Sequence, residues 1–188
     1  MNKVIQLRAT NAMGKTTVIR QFINKYNLIV DKINVLNDKV YVTHSKDNTL
    51  FILGKYNDKW GGCDNFKDKQ QVFNTIVFLV KNYQPKYIIF EGLLYGKTFQ
   101  FAYNLNNYLK RYNYKYKGIV LNSSFEFALE RLKKRNNNSE INIEAFYNTW
   151  YSVLNSYKKL KQKNVDMELI DITSIKYEDM VKILEREL

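Results

Sequence analysis

The sequence is expected to fold as an α/β protein: a mostly parallel sheet with helices on both faces and a small β-meander after the first helix. Three features carry that expectation. The chain opens with a strand–loop–helix unit, short apolar runs alternate with helical periods from residue 69 onward, and residues 28–54 read as β structure broken by turn-formers.

The opening unit occupies residues 3–22. An apolar run at 4–7 leads through Ala9, Thr10, Asn11, Ala12 and Met13 to Gly14-Lys15-Thr16-Thr17, where Val18, Ile19 and Phe22 begin a helical period. This is the spacing of a phosphate-binding loop, in which backbone N–H groups and a helix N-terminus face a triphosphate. Ala9 stands where the pattern has its first glycine. An ordinary negative φ at Ala9 would leave the loop intact, because Gly14 is the position that faces the phosphates most closely. Lys15 would supply a point charge to the β- and γ-phosphates and Thr16 a hydroxyl to Mg²⁺, while Thr17 could reach the α-phosphate.

The first helix should end near Tyr26, at the polar Asn27. Residues 28–36, 40–43 and 50–53 then form an antiparallel meander with turns at Asn37-Asp38 and Lys46-Asp47-Asn48. Residues 54–68 break the pattern. A loop this long in one domain usually has a function, and Trp60 and Asp64 would flank a ligand brought close to the paired glycines Gly61-Gly62. The plain alternative is a surface loop anchored by a buried tryptophan. Residues 69–83 follow a helical period closed by Pro85, and Tyr87-Ile88-Ile89-Phe90 reads as a buried parallel strand ending on Glu91. A helix over 98–112, a strand at 118–122, a helix from Phe125 capped by Ser123 or Ser124, a long helix at about 141–163, a strand at 167–172 and a terminal helix over 177–188 complete the alternation. Neither a repeat nor a linker interrupts it, so residues 1–188 are read as a single domain with a lid-like segment at about 131–145.

A bound Mg²⁺ also needs a carboxylate near a strand end, the position of Glu91. An acidic residue closing an apolar run can equally be a strand terminator. Arg131 and Arg135 share one helical face beside an asparagine-rich stretch, as cations of a closing lid would, or as a solvated basic helix end favoured by the macrodipole. Arg8, just after the first strand, would overlook the site. An alcohol acceptor would need a carboxylate to take its proton, Asp64 in the first instance and Glu91 in the second.

Composition bounds the remaining possibilities. With 188 residues, 45% hydrophobic and 26% charged, the chain suits one globular domain. It has no run of about 18 apolar residues and no signal-peptide core, so a cytoplasmic protein without membrane contact is expected. A single cysteine, Cys63, and a single histidine, His44, exclude an intrachain disulfide and a His/Cys metal cage. The 30 Lys+Arg against 18 Asp+Glu give +12, which favours a polyanionic partner or reflects a lysine- and asparagine-rich composition. Tyrosines and basic residues interleave over 108–117, as in surfaces that stack on bases and hold phosphates, although a helix end running into a strand gives the same alternation.

Taken in order, four stretches resemble a family of small bacteriophage P-loop kinases. They are Gln6-Leu7-Arg8-Ala9-Thr10-Asn11-Ala12-Met13-Gly14-Lys15-Thr16-Thr17, Phe51-Ile52-Leu53-Gly54-Lys55-Tyr56, Gly61-Gly62-Cys63-Asp64 and Ile89-Phe90-Glu91-Gly92-Leu93-Leu94. Some members of that family are 5-hydroxymethyluracil DNA kinases, which phosphorylate the base hydroxymethyl group within DNA on the way to hypermodified thymines. The motifs fall in the first half of the chain, and Ala9 departs from the usual loop glycine. The resemblance implies a P-loop kinase fold, use of ATP and Mg²⁺, a phage origin and hence an infected host cytoplasm, and an acceptor hydroxymethyl group carried on DNA containing 5-hydroxymethyluracil. Such a base would be flipped out of a duplex, with Trp60 or Tyr56 able to stack on it. A kinase for free deoxynucleosides or deoxynucleotides, and a non-catalytic nucleotide-binding protein, are the other readings.

Overall fold

The first strand, β1 (Asn2–Arg8), is buried from Val4 onward because it lies inside a seven-stranded sheet. The computed structural model describes residues 1–56, 61–137 and 139–188, and among these the sheet order is β2-β3-β4-β5-β1-β6-β7. The remaining strands are β2 (Ile29–Val35), β3 (Asp38–His44), β4 (Leu50–Leu53), β5 (Tyr87–Glu91), β6 (Tyr114–Asn122) and β7 (Met167–Asp171). β1 runs parallel to both β5 and β6, and the pairs β4–β5 and β6–β7 are parallel as well. The β2–β3–β4 meander is antiparallel, as its turn residues require, and it continues the same sheet through β4.

Period-two alternation sends successive side chains of β1 to opposite faces. Val4 joins the core beneath α2 (Lys69–Asn82), α4 (Phe99–Leu109) and the later turns of α6 (Ile143–Gln162). Ile5 and Leu7 join the core beneath α1 (Lys15–Tyr26), α5 (Phe125–Arg135) and the short α7 (Lys182–Glu185). A four-residue helix, α3 (Leu93–Gly96), follows β5. Side-chain caps start three of these helices: Asp68 accepts from the Gln71 N–H at 2.8 Å, Ser124 from Phe127 at 3.2 Å and Asn142 from Ala145 at 2.8 Å.

Two expectations change. The tyrosine-rich segment 108–117 is a helix end, a 3-10 turn at Lys110–Tyr112, and then the first residues of β6. Its alternation is a strand period: Tyr114 and Tyr116 are buried, the Tyr114 hydroxyl donating to Pro85 O at 2.7 Å and that of Tyr116 to Gln6 Oε1. Tyr114 pairs in register with Asn2, at the end of the sheet opposite the phosphate loop. The helix expected over 177–188 reduces to a 3-10 turn, Tyr177–Asp179, and one α turn. Its buried residues Met180, Val181, Ile183 and Leu184 sustain a helical period for little more than that. Among the described residues no helix is long and apolar enough to cross a membrane.

Candidate active site

Strand register sets the site. Leu7 lies beside Glu91 on β5 and beside Ile119 on β6, so β1 and β5 end level at the C-terminal edge of the sheet, where open parallel sheets bind ligands. The chain leaving Arg8 loops into α1 with two residues in the left-handed region, Ala12 (φ 61) and Gly14 (φ 86), whereas Ala9 stays outside it. The left-handed φ favours glycine at Gly14, where a Cβ would also have to displace the flexible end of Met180, whose Cε would lie 2.7 Å away. α1 has no side-chain N-cap and no acidic residue in its first turn. Its first N–H groups and the positive end of its dipole are therefore left for an anion.

Lys15 is only 8% exposed, and its ammonium donates to Ala9 O at 3.2 Å and Thr10 O at 3.0 Å. Burial lowers its pKa, while Glu91 and Asp64 act in the opposite sense. The Thr16 hydroxyl donates to Glu91 Oε1 at 3.1 Å. Glu91 is 1% exposed, and burial raises its pKa against the opposing charge of Lys15. Over these residues opens a cleft of ≈ 810 Å³ whose floor is the loop from Asn11 to Thr17. Its walls carry Glu91, Gly61, Asp64 and Arg20, together with Arg131 and Arg135 from α5 and Asn136, Asn137 and Ser139 from the segment after it.

The loop residues, Lys15, Thr16, Thr17, Gly61, Asp64, Glu91, Arg131 and Arg135 are thus brought to one cleft. Ala9 and Thr10 lie buried beneath it and serve Lys15 through their carbonyls. Asp64 is exposed on a 3-10 turn, Gly62–Asn65. Gly62 has φ 66, and a Cβ there would meet Glu91 Oε1 at 2.7 Å and the Tyr56 hydroxyl at 2.8 Å. The main chain packs this closely against the carboxylate only because no side chain intervenes.

Arg8 and Tyr56 are corrections. Arg8 does not overlook the cleft: its guanidinium is fully buried and donates to Ser156 Oγ at 2.6 Å, Gln6 Oε1 at 3.2 Å and the Tyr116 hydroxyl at 3.5 Å. Strand alternation puts it on the side of the sheet facing α6. Tyr56 is 4% exposed and packs in the core behind Gly61, with its hydroxyl donating to Leu53 O at 3.4 Å, so its ring offers no face to a base. Trp60 lies outside the described residues.

Asn136, Asn137 and Ser139 belong to the segment expected at about 131–145, whereas Arg20 lines the cleft without a sequence expectation. Arg20 stands four residues after Thr16, hence on the same helical face, and that spacing would have exposed it. Its Nε donates to Tyr56 O at 3.0 Å.

A mostly parallel sheet with a Gly14-Lys15-Thr16 loop between β1 and α1, and a hydroxyl–carboxylate pair at its edge, has the layout of a P-loop kinase fold. The Deinococcus radiodurans tunicamycin resistance protein shares it at TM-score 0.54 and 11% identity, over 100% of this chain and 95% of that one. A fungal RNA kinase shares it at TM-score 0.54 and 11% identity, over 100% and 84%. No family model matches the chain. In sequence it is similar to a 5-hmdU DNA kinase of Bacillus phage SP10, 28% identical over an alignment 183 long that covers 90% of this chain and 28% of that protein. It is also similar to a 5-hmdU DNA kinase of Delftia phage PhiW-14, 23% identical over an alignment 169 long that covers 83% of this chain and 63% of that one. The chain thus spans less than two thirds of the length of either relative.

Proposed function

We propose that this chain is an ATP-dependent kinase that moves the γ-phosphoryl group onto a hydroxyl, namely the hydroxymethyl group of 5-hydroxymethyluracil in DNA. The observation that carries the kinase reading is the gathering of Lys15, the Thr16–Glu91 pair and Asp64 around one cleft floored by the phosphate loop. Support for the acceptor is the similarity to two phage proteins named for that activity.

In the proposed reaction an acceptor oxygen bonds to the γ-phosphorus while the bond from that phosphorus to the β–γ bridging oxygen breaks. ADP leaves and the hydroxyl proton passes to Asp64. Lys15 and the loop N–H groups hold the triphosphate, and Arg131 and Arg135 meet charge on the migrating group. Thr16 and Glu91 would hold Mg²⁺, since a neighbouring hydroxyl and carboxylate are the hard oxygen donors it takes. When bound, the ion offsets negative charge on the β- and γ-phosphates. Trp60 is the ring proposed to stack on a flipped base.

The test is a panel of acceptors with γ-labelled ATP. Label should enter 5-hydroxymethyluracil DNA and leave thymine DNA unlabelled. Label on the free nucleoside or nucleotide alone would replace the DNA acceptor with a small molecule, and label on nothing would leave a nucleotide-binding protein.

A further inference from the structure

We propose that the exposed face of α2 and α4 is a track for the phosphodiester backbone of DNA, holding the polymer at a distance from the cleft. The inference rests on the DNA-acceptor reading above and adds to it a surface that a free nucleotide cannot reach.

Charge is distributed unevenly along the chain. Residues 69–125 contain eight of the 30 Lys and Arg but one of the 18 Asp and Glu, and that one is Glu91, buried at the cleft. A lysine-rich composition adds cations everywhere and does not strip acids from one segment. α2, α4 and the turns that end them therefore carry cations and amides with no carboxylate of their own. Of the acids beside them, Asp38 is held by Lys67 and by the Gln71 amide at 2.9 Å, and Asp68 caps α2.

Both helices leave the C-terminal edge of the sheet, where the cleft lies, and run to the opposite edge, where β5 and β6 begin. They lie side by side, with the Phe73 ring of α2 edge-on to Phe101 and Tyr108 of α4 at 6.4 and 5.4 Å between centroids. Their outer faces repeat one pattern. Gln70, Asn74 and Lys81 on α2 have the spacing of Gln100, Asn104 and Arg111 at α4, four residues and then seven, which keeps each set on one side of its helix. In both, the glutamine amide donates to the asparagine oxygen, at 2.8 and 2.7 Å. All six are exposed except the half-buried Asn74.

At the far end the two rows meet. The Lys81 ammonium lies 5.8 Å from the centre of the Tyr112 ring and the Arg111 guanidinium 6.0 Å from that of Tyr108, and the two tyrosine hydroxyls are 3.2 Å apart. Lys110 is exposed beside them. Among the described residues no carboxylate pairs with Lys81, Lys110 or Arg111. Basic residues in a last helical turn are what the macrodipole favours, so these cations alone would mark only two helix ends. The matched amide rows and the missing acids go further. Amides and cations donate to phosphate oxygens, and a carboxylate on the path would repel them. The 14 residues of α2 span about 21 Å, the length of about six nucleotides at about 3.4 Å each.

The experiment compares wild type with the triple variant Lys81→Gln, Lys110→Gln, Arg111→Gln. A control, Lys158→Gln, Lys159→Gln, Lys161→Gln, removes equal charge from exposed positions at the end of α6. The acceptors are a duplex of about 30 base pairs with one central 5-hydroxymethyluracil, and a 5-hydroxymethyluracil trinucleotide too short to reach from the cleft to Lys81. The first variant is expected to raise the KM of the duplex by about tenfold and to make the salt slope of its binding shallower by about two to three. Its kcat, its KM for ATP and its kcat/KM for the trinucleotide should stay within about twofold. Gln100→Glu with Asn104→Glu, which puts acids midway along the track, should weaken duplex binding by about threefold or more, and unchanged affinity there overturns the track. Equal loss in the α6 control would make the effect one of overall charge, and equal loss on the trinucleotide would make it one of fold; either overturns the proposal. If wild type phosphorylates neither acceptor, the kinase reading has failed by itself. Duplex binding then decides the surface: weaker binding by the α2–α4 variants and not by the α6 control supports it, and unchanged affinity overturns it.

Discussion

The floor of the cleft and its walls are made of different material. The floor is mostly main chain: loop amides, the left-handed turns at Ala12 and Gly14, and the first N–H groups of α1, with the buried Lys15 side chain among them. The walls are side chains delivered from several elements, with Asp64 on a 3-10 turn, Glu91 at a strand end, Arg20 on α1 and Arg131 and Arg135 on α5. A main-chain site tolerates any residue that keeps the conformation, which is why Ala9 can stand at a position usually held by glycine. A site built of side chains is lost one residue at a time.

The comparison breaks first at Lys15. Lys15→Ala should cut transfer by about a thousandfold with the fold intact by circular dichroism, and turnover within about tenfold of wild type would show that the floor does not hold the migrating group. Glu91→Gln should lower transfer by about a hundredfold and weaken the Mg²⁺ dependence. The same variant should melt higher than wild type at neutral pH without ligand. Burial raises the Glu91 pKa, so its contribution to stability is present when it is protonated and is lost as pH rises through the folded value. The gap in melting temperature should therefore close as pH falls toward 4.5, the ordinary glutamate value; a gap that widens would mean that Lys15 and Thr16 outweigh burial. Asp64→Asn sharpens the contrast, with kcat down by about a hundredfold and ATP affinity by titration unchanged, because Asp64 belongs to a wall. The smallest effect is expected of Gly62→Ala, which forces a methyl toward Glu91 Oε1 and the Tyr56 hydroxyl at φ 66. It should cost about 1–3 kcal/mol in urea unfolding and shift Asp64 enough to lower kcat; an unchanged urea midpoint would show that the turn has room.

What the sequence disclosed follows the same division. The floor was legible because Gly14-Lys15-Thr16 spacing encodes backbone geometry directly, and β5 was legible because four apolar residues bounded by turns leave few alternatives. Arg8 was misplaced because its position after a strand was weighed and its parity was not. It shares a face with Val4 and Gln6, which points it beneath α6. Tyr114 and Tyr116 fooled composition in the same way, since their alternation with Lys115 and Lys117 is the period of a strand. The burial of Tyr56 behind Gly61 could not be read locally, because it depends on Leu53, Gly62 and Glu91 meeting across the sheet edge.

The ammonium of Lys15 already has two oxygen partners, the carbonyls of Ala9 and Thr10, before any anion arrives. On the proposed function, entry of a polyphosphate would be a swap of neutral acceptors for charged ones and not the making of a contact where there was none. The loop is tied to its own lysine, and on the proposed function that ammonium would leave the peptide groups behind it only for a more negative acceptor.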